Sequence, residues 1–435
     1  MRNASLWRAL LGVEDDVVIE GVEYDQDADV MVAHVRPRRA GQGRCGACGD
    51  RAPWYDRGEG RRRWRCLDLG TVVVFLEADA PRVRCPAHGV VVRQVPWARH
   101  GAGHTRSFDQ QVAWLATACS KTAVTELMRI AWRTVGAIIT RVWADTAAGT
   151  DQFAGLRRIG IDEISYKRGH KYLTVVVDHD SGRLVWAAPG RDRATLNGFF
   201  DALEASGAGR CAQITHVSAD GADWIEAVVA ARCPHAVRCA DPFHVVSWAT
   251  DALDEVRRQA WNTARRAGQT RPIGRNHARP GRIATGDAQM FKRARWALWK
   301  NPEHLTDRQH TVLEWVAKTD PRLHEAYLLK EGLRLLFQMT RDDPTATRQA
   351  LDDWIAWADQ AQIEPFVVLA RRIDRYRDPI LAAVEHGLSN GRIESINTKI
   401  RLITRIAFGF RSPQALIALA MLNLGGHKPN LPGRR

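Results

Sequence analysis

Ile159-Gly-Ile-Asp-Glu-Ile-Ser165 decides how the centre of this 435-residue chain is read. The stretch has the alternation of a β-strand, and period two places Asp162 on the face opposite Ile161 and Glu163. A carboxylate in the middle of an apolar strand is costly unless it binds something. Working outward, Tyr172 to His179 and Leu184 to Ala188 read as two more strands around a turn at Asp180-Ser-Gly182, which gives an antiparallel meander. A helix (Thr195 to Ala205), a strand (Ile214 to Ser218), a helix (Trp224 to Ala231), a short strand (Ala236 to Cys239) and a long helix from Phe243 to about Arg266 follow.

Two further acids stand at matching places. Val217-Ser-Ala-Asp220 ends the fourth strand, and Asn390-Gly-Arg-Ile-Glu394 sets a glutamate in the first turn of a late helix. Two aspartates from adjacent strands and a glutamate from a flanking helix can converge on a pair of divalent cations. Such a pair activates a water or a 3′-hydroxyl and stabilises the leaving oxygen in in-line phosphoryl displacement. Asp241, in Ala240-Asp-Pro-Phe-His244, follows the fifth strand and is the alternative second acid. Asp223 reads as a helix cap, and Asp178 and Asp180 as turn formers.

The N-terminal hundred residues are different in kind. Residues 17 to 36, 71 to 77 and 82 to 84 alternate as strands, and Cys45-Gly-Ala-Cys48 and Cys85-Pro-Ala-His88 are two ligand pairs of equal internal spacing. Each places two donors on one side of a tight bend, and two such bends complete a closed tetrahedral zinc site with Cys45, Cys48, Cys85 and His88 as ligands. Four protein ligands leave no position for water, so the zinc is structural. Cys66 reads as a spare buried thiol, with His100 and His104 as weaker ligand candidates. Beyond a Gly-rich linker after Trp97, Ser120 to Arg141 has the pattern helix, turn, helix. Val135, Ile138 and Ile139 point inward, while Arg133, Thr134 and Arg141 face outward as a recognition helix presents residues to a major groove.

Composition narrows the partner. With 45% hydrophobic and 26% charged residues the chain is globular, and 63 basic against 49 acidic residues leave a net charge of +14, which favours a polyanion. No apolar run approaches the ~18 to 20 residues that span a bilayer, and the N-terminus lacks a signal-peptide pattern, so a cytosolic protein without a membrane partner is expected. From Met290 to about Val384 the chain reads as helical, with Trp296, Trp299, Trp315, Trp354 and Trp357 at amphipathic spacings. Arg265 to Arg282 reads as a basic loop, and the last helices are Arg392 to Ile403 and Pro413 to Leu424.

Taken together, the zinc pairs, Arg63-Trp-Arg-Cys-Leu-Asp-Leu-Gly70, Arg82-Val-Arg-Cys-Pro-Ala-His-Gly89, Val95-Pro-Trp97, Ile159-Gly-Ile-Asp-Glu163, Asp241-Pro-Phe-His-Val-Val246 and Ser389-Asn-Gly-Arg-Ile-Glu-Ser-Ile-Asn-Thr-Lys-Ile-Arg401 with Phe408-Gly-Phe-Arg411 resemble the ISL-three family of bacterial insertion-sequence transposases. The likeness runs from about residue 5 to residue 424. It implies a ribonuclease-H-like core with Asp162, Asp220 and Glu394 as its Asp-Asp-Glu triad, holding two Mg2+ ions that Mn2+ can replace. Glu394 lies 174 positions after Asp220, a separation that then requires a large helical insertion.

The expected architecture is multidomain α+β. It comprises a β-rich zinc module (1–98), a helix-turn-helix (105–148), a ribonuclease-H-like core begun at 157–266, an all-helical insertion (267–384), the core's final helices (385–424) and a basic tail (425–435). The expected activity is binding to the terminal inverted repeats of the element in double-stranded DNA, followed by strand cleavage and strand transfer into target DNA. Lys399 and Arg401 would hold phosphates. At least a homodimer is expected, because two ends must be processed together, with the protein in the bacterial cytoplasm at the nucleoid. A DNA-binding regulator without catalysis and a nuclease that does not join strands are the rival readings.

Overall fold

The computed structural model describes residues 4–38, 43–269, 286–339, 343–388 and 391–434. It forms two compact units, one of Met1–Gln152 with Leu402–Arg435 and one of Phe153–Arg401.

The first unit opens with α1 (Ala4–Leu11) and strands β1 (Val17–Asp25) and β2 (Val30–Pro37), followed by β3 (Trp54–Asp56), β4 (Arg61–Arg65), β5 (Val73–Asp79), β6 (Arg82–Cys85) and β7 (Gly89–Val92). They build a four-stranded sheet in the order β1-β2-β5-β4 and a three-stranded sheet β3-β6-β7. The larger sheet buries Val35, Val74 and Leu76 with Trp64 and Trp97, whose rings meet edge to face at 5.5 Å. Beyond it come α2 (Arg106–Ala118), α3 (Lys121–Met128) and α4 (Trp132–Ala148). Ser120 caps α3 by accepting from the Ala123 amide, and Arg129, in the left-handed region at φ 53°, ends that helix, so α3 and α4 are joined by a three-residue turn.

The second unit holds β8 (Arg158–Lys167), β9 (Lys171–Asp178), β10 (Leu184–Pro189), α5 (Arg193–Ala205), β11 (His216–Ala219), α6 (Asp223–Arg232) and β12 (Val237–Ala240). Their sheet runs β10-β9-β8-β11-β12, antiparallel through β8 and parallel from β8 to β12. The expected meander and the alternation after it are therefore present. One face of the sheet packs Ile159, Ile161, Val176 and Val217 beneath Leu196, Phe199 and Phe200 of α5 and Ile225 and Val229 of α6. The rest is helical: α7 (Pro242–Gln269), α8 (Gly286–Trp299), α9 (Asp307–Thr319), α10 (Pro321–Leu336), α11 (Pro344–Gln360), α12 (Glu364–Arg375) and α13 (Arg377–His386). These helices share one core, which includes Val245, Leu253, Leu298, Leu329, Trp354 and Phe366. Of the tryptophans expected at amphipathic spacing, Trp354 is buried and donates to the Leu329 carbonyl at 2.8 Å, whereas Trp296 is 64% exposed. The basic loop read at Arg265 to Arg282 lies, from residue 270 on, outside the described residues.

Two helices close the chain, α14 (Gly391–Ile406) and α15 (Pro413–Leu424). The run 385–424, expected to finish the core, divides at Arg401. α15 is apolar nearly all round, with Leu416, Leu419 and Leu422 buried, and it packs on α4 and α2 in the first unit. The tail lies on the same helices, with Lys428 over the Trp114 ring and His427 beside Trp143.

Candidate functional site

Cys45 and Cys48 sit in a turn held by the Cys45 amide on the Asp50 carbonyl, and Cys85 and His88 close the β6–β7 hairpin. The turn needs its glycine: a Cβ on Gly46 would stand 2.4 Å from the Val92 carbonyl oxygen. All four donor atoms lie within 4.8 Å of one another. Cys45 Sγ is 3.9 Å and Cys85 Sγ 3.6 Å from His88 Nδ1, and Cys48 Sγ is 3.8 Å from Cys85 Sγ. Zinc–sulfur bonds of about 2.3 Å in a tetrahedron set donors about 3.8 Å apart, so this donor set fits zinc in size and chemistry. Cys66 stands apart in the core, its thiol pushed up to about 12 by burial.

In the helix-turn-helix, Val135, Ile138 and Ile139 are fully buried and Arg133 is exposed, as the spacing demands, while Thr134 is half-buried. Arg141 departs from its expected outward place. Its guanidinium grips the fully buried Asp109 of α2 with two hydrogen bonds of 2.9 Å, and Arg99 joins the same carboxylate at 3.2 Å. A buried carboxylate requires such cations, and this requirement turns Arg141 inward.

In the second unit, register aligns the acids. Ser218 of β11 lies opposite Gly160 of β8, and Ala219 lies opposite Ala240 of β12. Extending both registers brings Asp162, Asp220 and Asp241 level across three neighbouring strands, where parallel strands end and ligands commonly bind. Asp162 is half-buried. It accepts from the Glu163 amide and from Asn397 Nδ2, both at 2.7 Å. Burial raises its carboxyl above the usual range, with Asp220 adding to the rise. Burial likewise lifts Glu163 to about 7, although Arg191 pairs with it at 2.6 Å.

Asp241 is 4% exposed and already engaged: it caps α7 by accepting from the Phe243 amide at 3.1 Å and stands 3.6 Å from His244 Nε2. Asp220 is half-buried and has no hydrogen-bond or ion-pair partner among the described residues. The loop after it is fixed by Tyr376, whose hydroxyl donates to the Gly221 carbonyl at 2.9 Å.

The start of α14 crosses β8. Ile393 is fully buried over Gly160, Arg392 donates to the His179 carbonyl, and Asn397 reaches Asp162. Glu394 lies one turn before Asn397 and is exposed, as are Lys399 and Arg401 further on. Among the described residues the zinc donors are the one group of three or more such side chains gathered closely enough to hold an ion; the carboxylates of Asp162, Asp220 and Glu394 are not drawn together to that degree. The residue that sequence reasoning missed is Asn397. It was visible in Asn-Gly-x-x-Glu-x-x-Asn as a polar side chain three residues after the glutamate, on the same helix face.

Comparison with known proteins gives the family. Residues 159–420 match a transposase family model, 93–143 the helix-turn-helix domain of transposase family ISL3, and 41–88 the zinc-finger of transposase IS204/IS1001/IS1096/IS1165. The transposase for insertion sequence element IS1557 of Mycobacterium tuberculosis is 65% identical over 445 residues, covering 100% of this chain and 98% of the relative. The transposase for insertion sequence element IS1001 of Bordetella parapertussis is 28% identical over 355 residues, 81% of this chain and 82% of the relative. The chain belongs to the ISL3 family of insertion-sequence transposases, with a zinc-binding N-terminal module and a DNA-binding helix-turn-helix. No helix among the described residues is long and apolar enough to cross a membrane.

Proposed function

We propose that this transposase binds the terminal inverted repeats of its own element and cuts and joins DNA strands with the acids Asp162, Asp220 and Glu394. The observation that carries the reading is the alignment of Asp162 and Asp220 on paired strands, with α14 fastened to Asp162 through Asn397 one turn after Glu394. The sheet order β10-β9-β8-β11-β12 with α5 and α6 on one face supports a ribonuclease-H-like reading of the core. In that reading 267–384 is a helical insertion before the catalytic helix.

The donor set suits Mg2+: hard carboxylate oxygens, one raised by burial and therefore in need of a cation, and Asn397, whose buried Oδ1 has no hydrogen-bond partner among the described residues. Asp162 and Asp220 would hold two such ions from the strands and Glu394 from the helix, and the ions would supply an activated hydroxyl and neutralise the leaving oxygen. Asn397 keeps Asp162 in its orientation, and the Tyr376 hydroxyl steadies the loop that carries Asp220. Asp220 is preferred to Asp241 because Asp241 is occupied as a helix cap. Lys399 and Arg401, exposed further along α14, face phosphates. Trp296, exposed beside the Arg295 guanidinium, offers a ring for an unstacked base. The protein works as a homodimer or larger assembly in the bacterial cytoplasm at the nucleoid.

The test is Mg2+-dependent nicking and joining of labelled duplex carrying the element's own end. Wild type is expected to cut and join, while Glu394→Gln and Asp220→Asn bind the end and leave it intact. If Asp220→Asn cuts normally, Asp241 takes its place. If wild type binds without cutting in any divalent metal, catalysis is not the chain's function.

A further inference from the structure

Of the exposed residues of α4, Arg133, Ala137, Thr140 and Ala144 lie at i, i+4, i+7 and i+11 and form a stripe along the helix, while Asp145 and Ala148 are exposed near its C-terminal end. This stripe is not open on all sides. It forms one wall of a cleft of ≈ 1050 Å³ whose other wall is Phe410, Arg411 and Ser412, just before α15, with Gln414 and Ala415 of that helix's first turn. Among the described residues no carboxylate lines the cleft, whereas Lys121, Arg133, Arg141 and Arg411 all do.

Arg141 is neutralised by Asp109, but the other three cations have no ion-pair partner among the described residues. Lys121 is the telling one. It is 7% exposed, and its ammonium rests against the rings of Trp132 at 4.6 Å and Phe410 at 5.3 Å, with no hydrogen-bond acceptor among the described residues. A cation withdrawn from water without a counter-charge is held at a cost that an incoming anion removes. Small residues at Gly136, Ala137 and Ala144 allow a chain of phosphates to approach the helix backbone closely.

We propose that this cleft binds the phosphate backbone of double-stranded DNA, with Lys121 and Arg411 as its phosphate contacts. The C-terminal segment is then half of the DNA-binding surface, although it follows the catalytic helix in sequence. The proposal rests on the helix-turn-helix being the DNA-binding element and adds a second wall to it. Phosphate contacts carry no sequence information, so the cleft sets affinity and register, while base reading falls to the α4 stripe.

The full-length chain is titrated by fluorescence anisotropy with labelled duplex bearing the element's end, and with a scrambled duplex, across a range of salt. Arg411→Ala and Lys121→Gln are each expected to weaken both duplexes equally, about eightfold near 0.1 M salt, and to lower the slope of log affinity against log salt by about 0.9, one phosphate contact. Arg411→Lys keeps the slope. Arg411 is exposed, so its variants test the cleft even if Lys121→Gln perturbs folding, which thermal melting reports. A wild-type slope for Arg411→Ala overturns the proposal. If Arg133→Ala alone then weakens end binding, the helix-turn-helix reading survives without the cleft; if no variant changes binding, that reading fails too.

Discussion

Replacing Gly160 by alanine is the sharpest single perturbation of the candidate active site, because it adds one methyl group between β8 and the helix that crosses it. The new Cβ would stand 2.1 Å from Ile393 Cδ1, 2.8 Å from Ile393 Cγ1 and 2.8 Å from His179 Nε2. Carbon atoms in contact prefer about 3.5 to 4.0 Å, so Ile393 must retreat by roughly 1.5 Å. Rotation of its outer methyl does not suffice, because Cγ1 is also too close and the side chain is fully buried with a stiff β-branched χ1. His179 is likewise pinned by a 2.6 Å hydrogen bond to Ser218. The helix therefore moves, carrying the Asn397 amide away from Asp162 and shifting Glu394 with it.

Overpacking of this kind destabilises by about 1 to 3 kcal/mol, and a shift of about 1 Å in a catalytic group lowers the rate by about 10²-fold. In the nicking assay Gly160→Ala is expected to lose cleavage on that scale while end binding, which uses the other unit, is unchanged. Adding Ile393→Ala removes both clashing carbons and restores part of the rate. Cleavage by Gly160→Ala at the wild-type rate would refute the placement of α14 on β8 and, with it, the role given to Glu394.

Three further outcomes are expected. Asp109→Ala leaves Arg141 and Arg99 without their shared buried carboxylate and should cost about 3 to 5 kcal/mol in denaturant unfolding of the first unit; a loss under 1 kcal/mol contradicts the buried network. Burial, reinforced by Arg392 and Arg158, lowers His179 to about 4 from the ordinary imidazole value near 6.5, so the folded chain keeps it neutral while the unfolded chain protonates. Its contribution is complete above pH 6.5 and is lost as pH falls toward 4, about 2 kcal/mol between pH 7.5 and 5, and His179→Gln should flatten the stability profile in that window by this amount. Removal of zinc by a strong chelator should release one ion per chain and unfold the β3-β6-β7 module, read as loss of its amide protection, and Cys85→Ser should reproduce the loss.

The parts of the fold that were legible in the sequence are those whose local pattern and tertiary surroundings agree. Strand β8 alternates because one face packs on α5 and α6 and the other carries Gly160 and Asp162, and the zinc pairs announce themselves because ligand chemistry fixes spacing. The short strands β3, β4 and β7 were missed: Arg61-Arg-Arg-Trp-Arg65 has too few apolar residues to register as a strand, and it is recruited by pairing with β5. α15 was found as a helix but assigned to the wrong neighbours. Its apolar character shows only that it is covered, and nothing local to Pro413–Leu424 names α4 and α2 as the cover.

The same distinction separates the site residues. Asp162 and Asp220 could be chosen because a charged group inside or at the end of an apolar strand conflicts with its surroundings, and that conflict is visible one residue at a time. Arg141 could not be assigned by such reasoning, since an arginine on a helix face reads as outward until a buried acid on another helix claims it, and Asp109 lies 32 residues away. Asn397 is intermediate: its spacing from Glu394 was plain, but its purpose depends on Asp162, 235 residues earlier. The contacts invisible in the sequence are thus the long-range ones in which a polar group is explained by its partner rather than by its neighbours. Asn397 makes the point testable in function. Asn397→Ala deletes no acid, yet by freeing Asp162 to turn it should depress cleavage while leaving end binding intact, and Asn397→Asp, which sets a second charge against Asp162, should be worse than alanine unless Mg2+ is raised. If Asn397→Ala cuts as wild type does, the helix does not orient the strand acid, and Glu394 loses the structural support for its place beside it.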